Sequence, residues 1–123
     1  MIAFPDQLRR YRERADLSCN ELARAVGVDP SYVSRLERGE RDLPRRRVVE
    51  GIAAALQLDP VDTDRLLVSA GYAPVALAAM GTWDPALEAV AERLADPGLS
   101  SSEIATFRQT VTDLATHWGG KRA

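Results

Sequence analysis

Apolar residues recur along this chain at three- and four-residue intervals and almost never alternate, a spacing that predicts helices throughout. Leu8, Tyr11, Ala15 and Leu17 mark one face of a first helix running roughly from Pro5 to Ala15. Pro5 suits a first helical position, where its missing N–H costs nothing. Leu22, Ala23 and Val26 carry the pattern into a second helix. Ser18 and Glu21 open it with capping-box spacing, and Gly27 stops it where a left-handed residue is wanted. A third helix is expected over residues 30–38, with Asp29 as N-cap, Pro30 as first residue, Val33 and Leu36 facing inward and Gly39 as the stop. Val49, Ile52, Ala53 and Leu56 predict a fourth helix after Pro44. Leu66, Leu67 and Ala70 predict a fifth, starting after Asp59-Pro60 or at Asp62 and ending at Gly71.

Residues 72–83, punctuated by Pro74, Gly81 and Thr82, read as a joint. Beyond it, Asp84 caps a helix over Pro85–Ala95 that carries Leu87, Val90, Ala91 and Leu94. Asp96-Pro97-Gly98 is a turn signal, and Ser100 with Glu103 forms a second capping box. The helix it opens carries the stripe Ile104, Phe107, Val111, Leu114 and Trp118. The expected organisation is all-α: a domain over residues 1–71, the joint, a helical hairpin over 84–118, and a tail over 119–123.

Composition agrees with helices. The hydrophobic share is 46%, mostly Ala, Leu and Val, whereas aromatics make up 6%, which disfavours strands. One cysteine, Cys19, allows no internal disulfide, and a single histidine, His117, leaves too few ligands for an ordinary structural zinc site. Neither a charged-then-apolar leader nor an apolar run of about 18 residues is seen, so the expectation is a soluble cytoplasmic protein with no membrane association. No Gly-rich phosphate loop, paired Cys or usable His assembles into a reactive site. The chain is therefore expected not to be an enzyme and to need no cofactor or metal.

Charge divides unevenly. Residues 1–58 hold 11 Arg against 9 Asp and Glu, a balance of +2, whereas residues 59–123 hold 5 basic against 9 acidic residues, a balance of −4. Basic charge thus sits in the first half. Arg45-Arg46-Arg47 opens the fourth helix, although cations at a helix N-terminus oppose the macrodipole and cost about 0.3–1 kcal/mol each at low salt. A phosphate backbone converts that cost into attraction through counterion release.

The second and third helices, joined by Gly27-Val28 with small Ala23 where they cross, have the form of a helix-turn-helix, which delivers the start of its second helix to base edges in the major groove. With Val33 and Leu36 committed to the core, Ser31, Tyr32, Ser34 and Arg35 remain for bases. Arg35 suits guanine O6 and N7 through its planar fork. The short hydroxyls of Ser31 and Ser34 allow close approach, and Tyr32 suits a thymine methyl or a sugar.

Leu17-Ser18-Cys19-Asn20-Glu21-Leu22-Ala23-Arg24-Ala25-Val26-Gly27-Val28 and Ser31-Tyr32-Val33-Ser34-Arg35-Leu36-Glu37-Arg38-Gly39 resemble the second and third helices of the Cro/XRE-like, phage-repressor-like helix-turn-helix family, over about residues 4–70. The resemblance implies a five-helix phage-repressor-like DNA-binding bundle and a transcriptional regulator, a repressor. It implies a structural ion pair between Arg12 and Glu37. It also implies phosphate contacts at the start of the second helix, where Cys19 stands in a place the family frequently gives to Gln. The phosphate set is Ser18, Asn20, Arg38, Arg41, Arg45 and Arg46, with Arg45 near the backbone or minor groove. Double-stranded DNA is the expected partner. The hairpin is too small to be stable alone and must pack on the bundle or on a second copy, so a homodimer through residues 84–118 is expected. The alternative is an interaction module such as an antitoxin, which binds a protein partner and autoregulates. A small effector bound by residues 72–118 is a third reading.

Overall fold

The structure, a computed structural model, describes residues 2–80 and 84–119 and divides the chain into two compact units, Met1–Ala79 and Met80–Ala123. No strand occurs among the described residues. The first unit contains α1 (Phe4–Arg14), α2 (Cys19–Val26), α3 (Tyr32–Glu37), α4 (Arg46–Ala55), α5 (Pro60–Ser69) and the single turn α6 (Val75–Ala78). The second contains α7 (Pro85–Leu94) and α8 (Ser101–Gly119).

In the first unit α1 packs on α3 and α5, α2 on α3 and α4, and α4 on α5. The inward positions meet in one core: Leu8 and Tyr11 of α1, Leu22 and Ala23 of α2, Val33 and Leu36 of α3, Val49, Ile52 and Ala53 of α4, and Leu66 and Leu67 of α5. Each fully buried Leu, Ile or Val contributes about 1.5–3 kcal/mol, an upper range because the unfolded chain already shields some surface. Phe4 joins them from the start of α1, whereas Ala15 is an exposed C-cap because the helix ends at Arg14.

Local chemistry fixes the helix ends. Ser18 Oγ accepts from Glu21 N at 3.0 Å, and Glu21 Oε1 accepts from Ser18 N at 2.9 Å, closing both halves of the capping box. Gly27 follows α2 at φ +84°, in the left-handed region. A Cβ built there would meet nothing within 4 Å, so glycine is required by backbone conformation and not by space. The start of α3 differs from the expected one. Asp29 does not cap a helix that begins at Pro30. Its Oδ1 accepts from Ser31 N at 2.9 Å and from Ser31 Oγ at 2.6 Å, which folds residues 29–31 into an Asx turn and delays the helix to Tyr32.

The stretch read as a joint begins with structure of its own. Tyr72 donates its hydroxyl to Pro44 O at 2.7 Å, Arg46 donates to Ala73 O at 2.9 Å, and Asp64 accepts from Val75 N at 2.9 Å. These bonds fasten residues 72–75 to α4 and α5, so the first unit continues through α6 to Ala79 and does not stop at Gly71. Gly81 and Thr82, the rest of the joint's punctuation, lie outside the described residues, as do tail residues 120–123.

A polar seam holds α1 to α5. Gln7 Nε2 donates to Tyr11 Oη at 2.6 Å, Tyr11 Oη donates to Asp62 Oδ1 at 3.0 Å, and Arg14 donates to Asp62 Oδ2 at 2.9 Å. Burial, and then the Asp62 carboxylate, push the Tyr11 hydroxyl above its ordinary pKa, while hydrogen bonding from Arg14 holds Asp62 below the usual carboxylate value.

In the second unit Asp84 accepts from Ala86 N at the start of α7, and Ser100 and Glu103 form the capping box that opens α8. Leu87, Val90 and Leu94 of α7 and Ile104, Phe107 and Val111 of α8 are each only half-buried. The α8 stripe then runs into the open: Leu114 is 60% and Trp118 83% exposed.

Candidate nucleic-acid interface

Three segments converge beside α3. The turn at Val28 and Asp29, α3 itself, and the approach to α4 enclose a cleft of about 550 Å3, into which Ser31, Tyr32, Arg35, Arg41 and Arg45 project, with Val28 and Val48 supplying apolar wall. The Arg41 guanidinium lies 5.3 Å from the centre of the Tyr32 ring, a cation–π distance that orders both side chains without neutralising the charge. Arg35, Arg41 and Arg45 are exposed, and none has a salt-bridge partner among the described residues.

Most neighbouring arginines are engaged elsewhere. Arg12 grips Glu37 with two bonds, Nε to Oε2 at 2.6 Å and Nη2 to Oε1 at 2.8 Å, and donates Nη1 to Leu17 O at 2.8 Å. Arg9 adds a bond to Glu37 Oε1 at 3.4 Å and one to the Glu37 carbonyl at 3.0 Å, which caps the C-terminal end of α3. Cys19 completes the cluster with its Sγ 3.7 Å from Glu37 Oε2. Burial, then the nearby Glu37 charge, raise the Cys19 pKa, so at neutral pH it is a thiol that donates to Glu37 and not an open phosphate ligand. The Glu37 side chain is 4% exposed and Arg12 14%, which makes this a buried lock between α1, α2 and α3.

The remaining residues singled out from sequence fall into separate places. Ser34 is half-buried, and its Oγ donates back to Ser31 O at 2.9 Å, which leaves it lone pairs but no free proton. Ser18 is an exposed cap residue, and Asn20 is exposed one residue into α2. Arg38 pairs with Glu40 at 3.0 Å, both side chains 54% exposed, a geometry that contributes little to stability. Arg46 points to Ala73 O and to Glu50, away from the cleft. The cleft thus gathers Ser31, Tyr32, Arg35, Arg41 and Arg45, but not Ser34, Ser18, Asn20, Arg38 or Arg46. Two residues escaped the sequence reading. Arg9 sits one turn before Arg12 on the same helix face, a spacing that signals shared partners. Asp29 lines the cleft as well as making the turn.

Chemically, this surface offers fixed positive charge, a half-buried aromatic and short hydroxyls to a polyanion carrying readable edges. Among the described residues no group of three or more His, Cys, Asp or Glu is placed to hold a metal, and no helix is long and apolar enough to cross a membrane.

Several known proteins are similar to this chain. The helix-turn-helix domain family matches residues 3–66. The HTH-type transcriptional repressor RghR of Bacillus subtilis (strain 168) is 36% identical over 72 residues, which cover 58% of this chain and 51% of that protein. The uncharacterized HTH-type transcriptional regulator RghRB of the same strain is 32% identical over 72 residues, covering 58% of this chain and 50% of that protein. A chain of the SinR protein/SinI protein complex aligns with a TM-score of 0.49 and 22% identity over 92% of this chain and 98% of its own length. The chain spans about half the length of the first two curated relatives.

Proposed function

This chain belongs to the helix-turn-helix domain family, and from that premise we propose that it is a sequence-specific double-stranded-DNA-binding transcriptional regulator, a repressor, that reads the major groove with α3. One observation carries the reading. Arg35, Arg41 and Arg45, from three successive segments, share one cleft with Ser31, Tyr32 and the single carboxylate Asp29 and make no direct ion pair among the described residues, while Arg9, Arg12, Arg14, Arg38 and Arg46 are engaged within the fold. Three cations against one carboxylate leave an excess of positive charge in the cleft, which is favourable against phosphate. The repressor named among the relatives supports the direction of regulation.

Within the cleft the roles divide by position. Arg35 on α3 reads a base edge. Arg45, the N-cap residue of α4, meets the backbone, and Arg41 bridges between the two through Tyr32. Arg45→Ala is expected to weaken binding to specific and unrelated duplexes alike, by about three- to tenfold at moderate salt, and to reduce the slope of log K against log salt by about 1. Fluorescence anisotropy over a salt series measures both. An unchanged slope contradicts a phosphate contact.

We further propose that a second copy covers the apolar face of α7 and α8, so that two α3 helices meet half-sites about 34 Å apart or a multiple of it. None of the described residues 84–118 is fully buried, and Leu114 and Trp118 stand open, whereas a hairpin of two helices needs a dry face to persist. Sedimentation equilibrium at micromolar concentration is expected to give a dimer, and Leu114→Glu combined with Trp118→Glu a monomer with weakened affinity for a two-half-site duplex. A monomeric wild type, or an undisturbed dimer in the double variant, removes this assignment.

A further inference from the structure

Asp29 is the one carboxylate lining the cleft beside α3, and the turn alone does not explain it; Glu40 and Asp42 line the adjoining pocket with Arg41 and Arg45. Asp29 is exposed and lines the same cleft as Arg35, Arg41 and Arg45. Its Oδ1 is occupied by both Ser31 bonds, whereas Oδ2 has no partner among the described residues. Asparagine or serine would make an equivalent turn without charge. A carboxylate on a surface that meets phosphate is repelled by it; Arg35 and Arg41 offset part of that repulsion, and the unpartnered Oδ2 remains available to a hydrogen-bond donor of the duplex. Major-groove base edges display one kind of donor, the exocyclic amine, as cytosine N4–H2 or adenine N6–H2; guanine O6 and N7 and thymine O4 are acceptors.

We propose that Asp29 is a specificity-determining residue that accepts from the exocyclic amine of a cytosine or adenine and rejects guanine and thymine at that position of each half-site. This rests on the DNA-reading assignment above and adds to it the base class opposite the start of α3. The Ser31 hydrogen bonds hold the Asp29 carboxyl below its ordinary pKa, so it is ionised whenever DNA binds. The same bonds fix its orientation, which limits its reach to one base step. Arg35, six residues on and within α3, reads an acceptor-rich edge, so each half-site should present both an amine-bearing edge and a guanine-like edge to the protein.

The test is Asp29→Asn in the full chain. Asparagine retains an acceptor oxygen for the Ser31 turn but loses the charge and gains a donor amide. Bound duplexes are selected from a random pool with wild type and variant, and affinities are then measured for the four duplexes that differ at the most affected position. The wild type is expected to favour C or A there over G or T by about tenfold. The variant should lose most of that preference, keep the guanine preference assigned to Arg35, and bind unrelated duplex about two- to fivefold more tightly because the repulsion is gone. Asp29→Ser, which also preserves the turn, should behave alike. Enrichment of one motif by wild type and variants, with no change at any position, overturns the Asp29 assignment while leaving the DNA reading intact. Loss of discrimination spread over the whole motif overturns it too, since that marks a merely structural role. Failure of the wild type to enrich any motif overturns both.

Discussion

Arg35→Ala lowers discrimination between the selected duplex and its single-base variants at one position by about 10- to 100-fold, while affinity for unrelated duplex falls less than threefold. The size follows from the chemistry of a bidentate guanidinium–guanine contact, which is worth about 1–3 kcal/mol of discrimination because a wrong base leaves donors unpaired in a dehydrated groove. The selectivity of the loss follows from position. Arg35 lies on the exposed face of a helix whose opposite face, Val33 and Leu36, is sealed in the core, so it approaches the duplex with its backbone fixed. It makes no intramolecular ion pair among the described residues, so removal costs the fold little. Competition binding against the four base variants measures the effect. An equal loss on all sequences, matching that of Arg45→Ala, reassigns Arg35 to the backbone.

Glu37→Ala destabilises the first unit by about 3 kcal/mol, the second large effect. Removing one partner of a buried pair leaves the other charged and undersolvated, a loss of about 3–5 kcal/mol. The lower end applies here because Arg12 retains its bond to Leu17 O and 14% exposure. Three donors, Arg12, Arg9 and Cys19, converge on this one carboxylate, and its removal unties α1, α2 and α3 together. With a urea slope near 1–1.5 kcal/mol/M for a unit of this size, the midpoint should drop by about 2–3 M, followed by far-ultraviolet circular dichroism. At a temperature where the variant is fully folded, its DNA affinity should stay within a fewfold of wild type, because Glu37 faces inward. An unmoved midpoint contradicts the lock.

The parts of this fold that were legible in sequence are those written in short-range chemistry. Ser18 with Glu21, Gly27 and Ser100 with Glu103 each satisfy orphan helix-end groups within four residues, so their spacing alone locates the ends, whereas the fifth helix had two candidate starts and Asp59, accepting from Asp62 N at 2.8 Å, is the cap. What stayed hidden depends on residues distant in sequence. The turn α6 is held by Tyr72 reaching Pro44, Arg46 reaching Ala73 and Asp64 reaching Val75, whereas locally Gly71 and Pro74 read as punctuation. The same bond takes Arg46 away from the cleft, which the Arg45–Arg47 run could not reveal. Cys19 reads in sequence as a residue beside the phosphate contacts at the start of the second helix, and only the packing of α3 brings Glu37 within hydrogen-bonding distance of it. Asp29 had two local solutions, an N-cap for a helix at Pro30 or an Asx turn across Ser31, and the turn prevails because both Ser31 donors reach one oxygen.

Entry of the α3 surface into a duplex groove is decided by selection from a pool of random duplexes with the full chain. The expected result is enrichment of a motif with two inverted half-sites spaced by about one helical turn or a multiple, each containing a guanine that Arg35→Ala ceases to require. Recovery of sequences indistinguishable from the starting pool would contradict it.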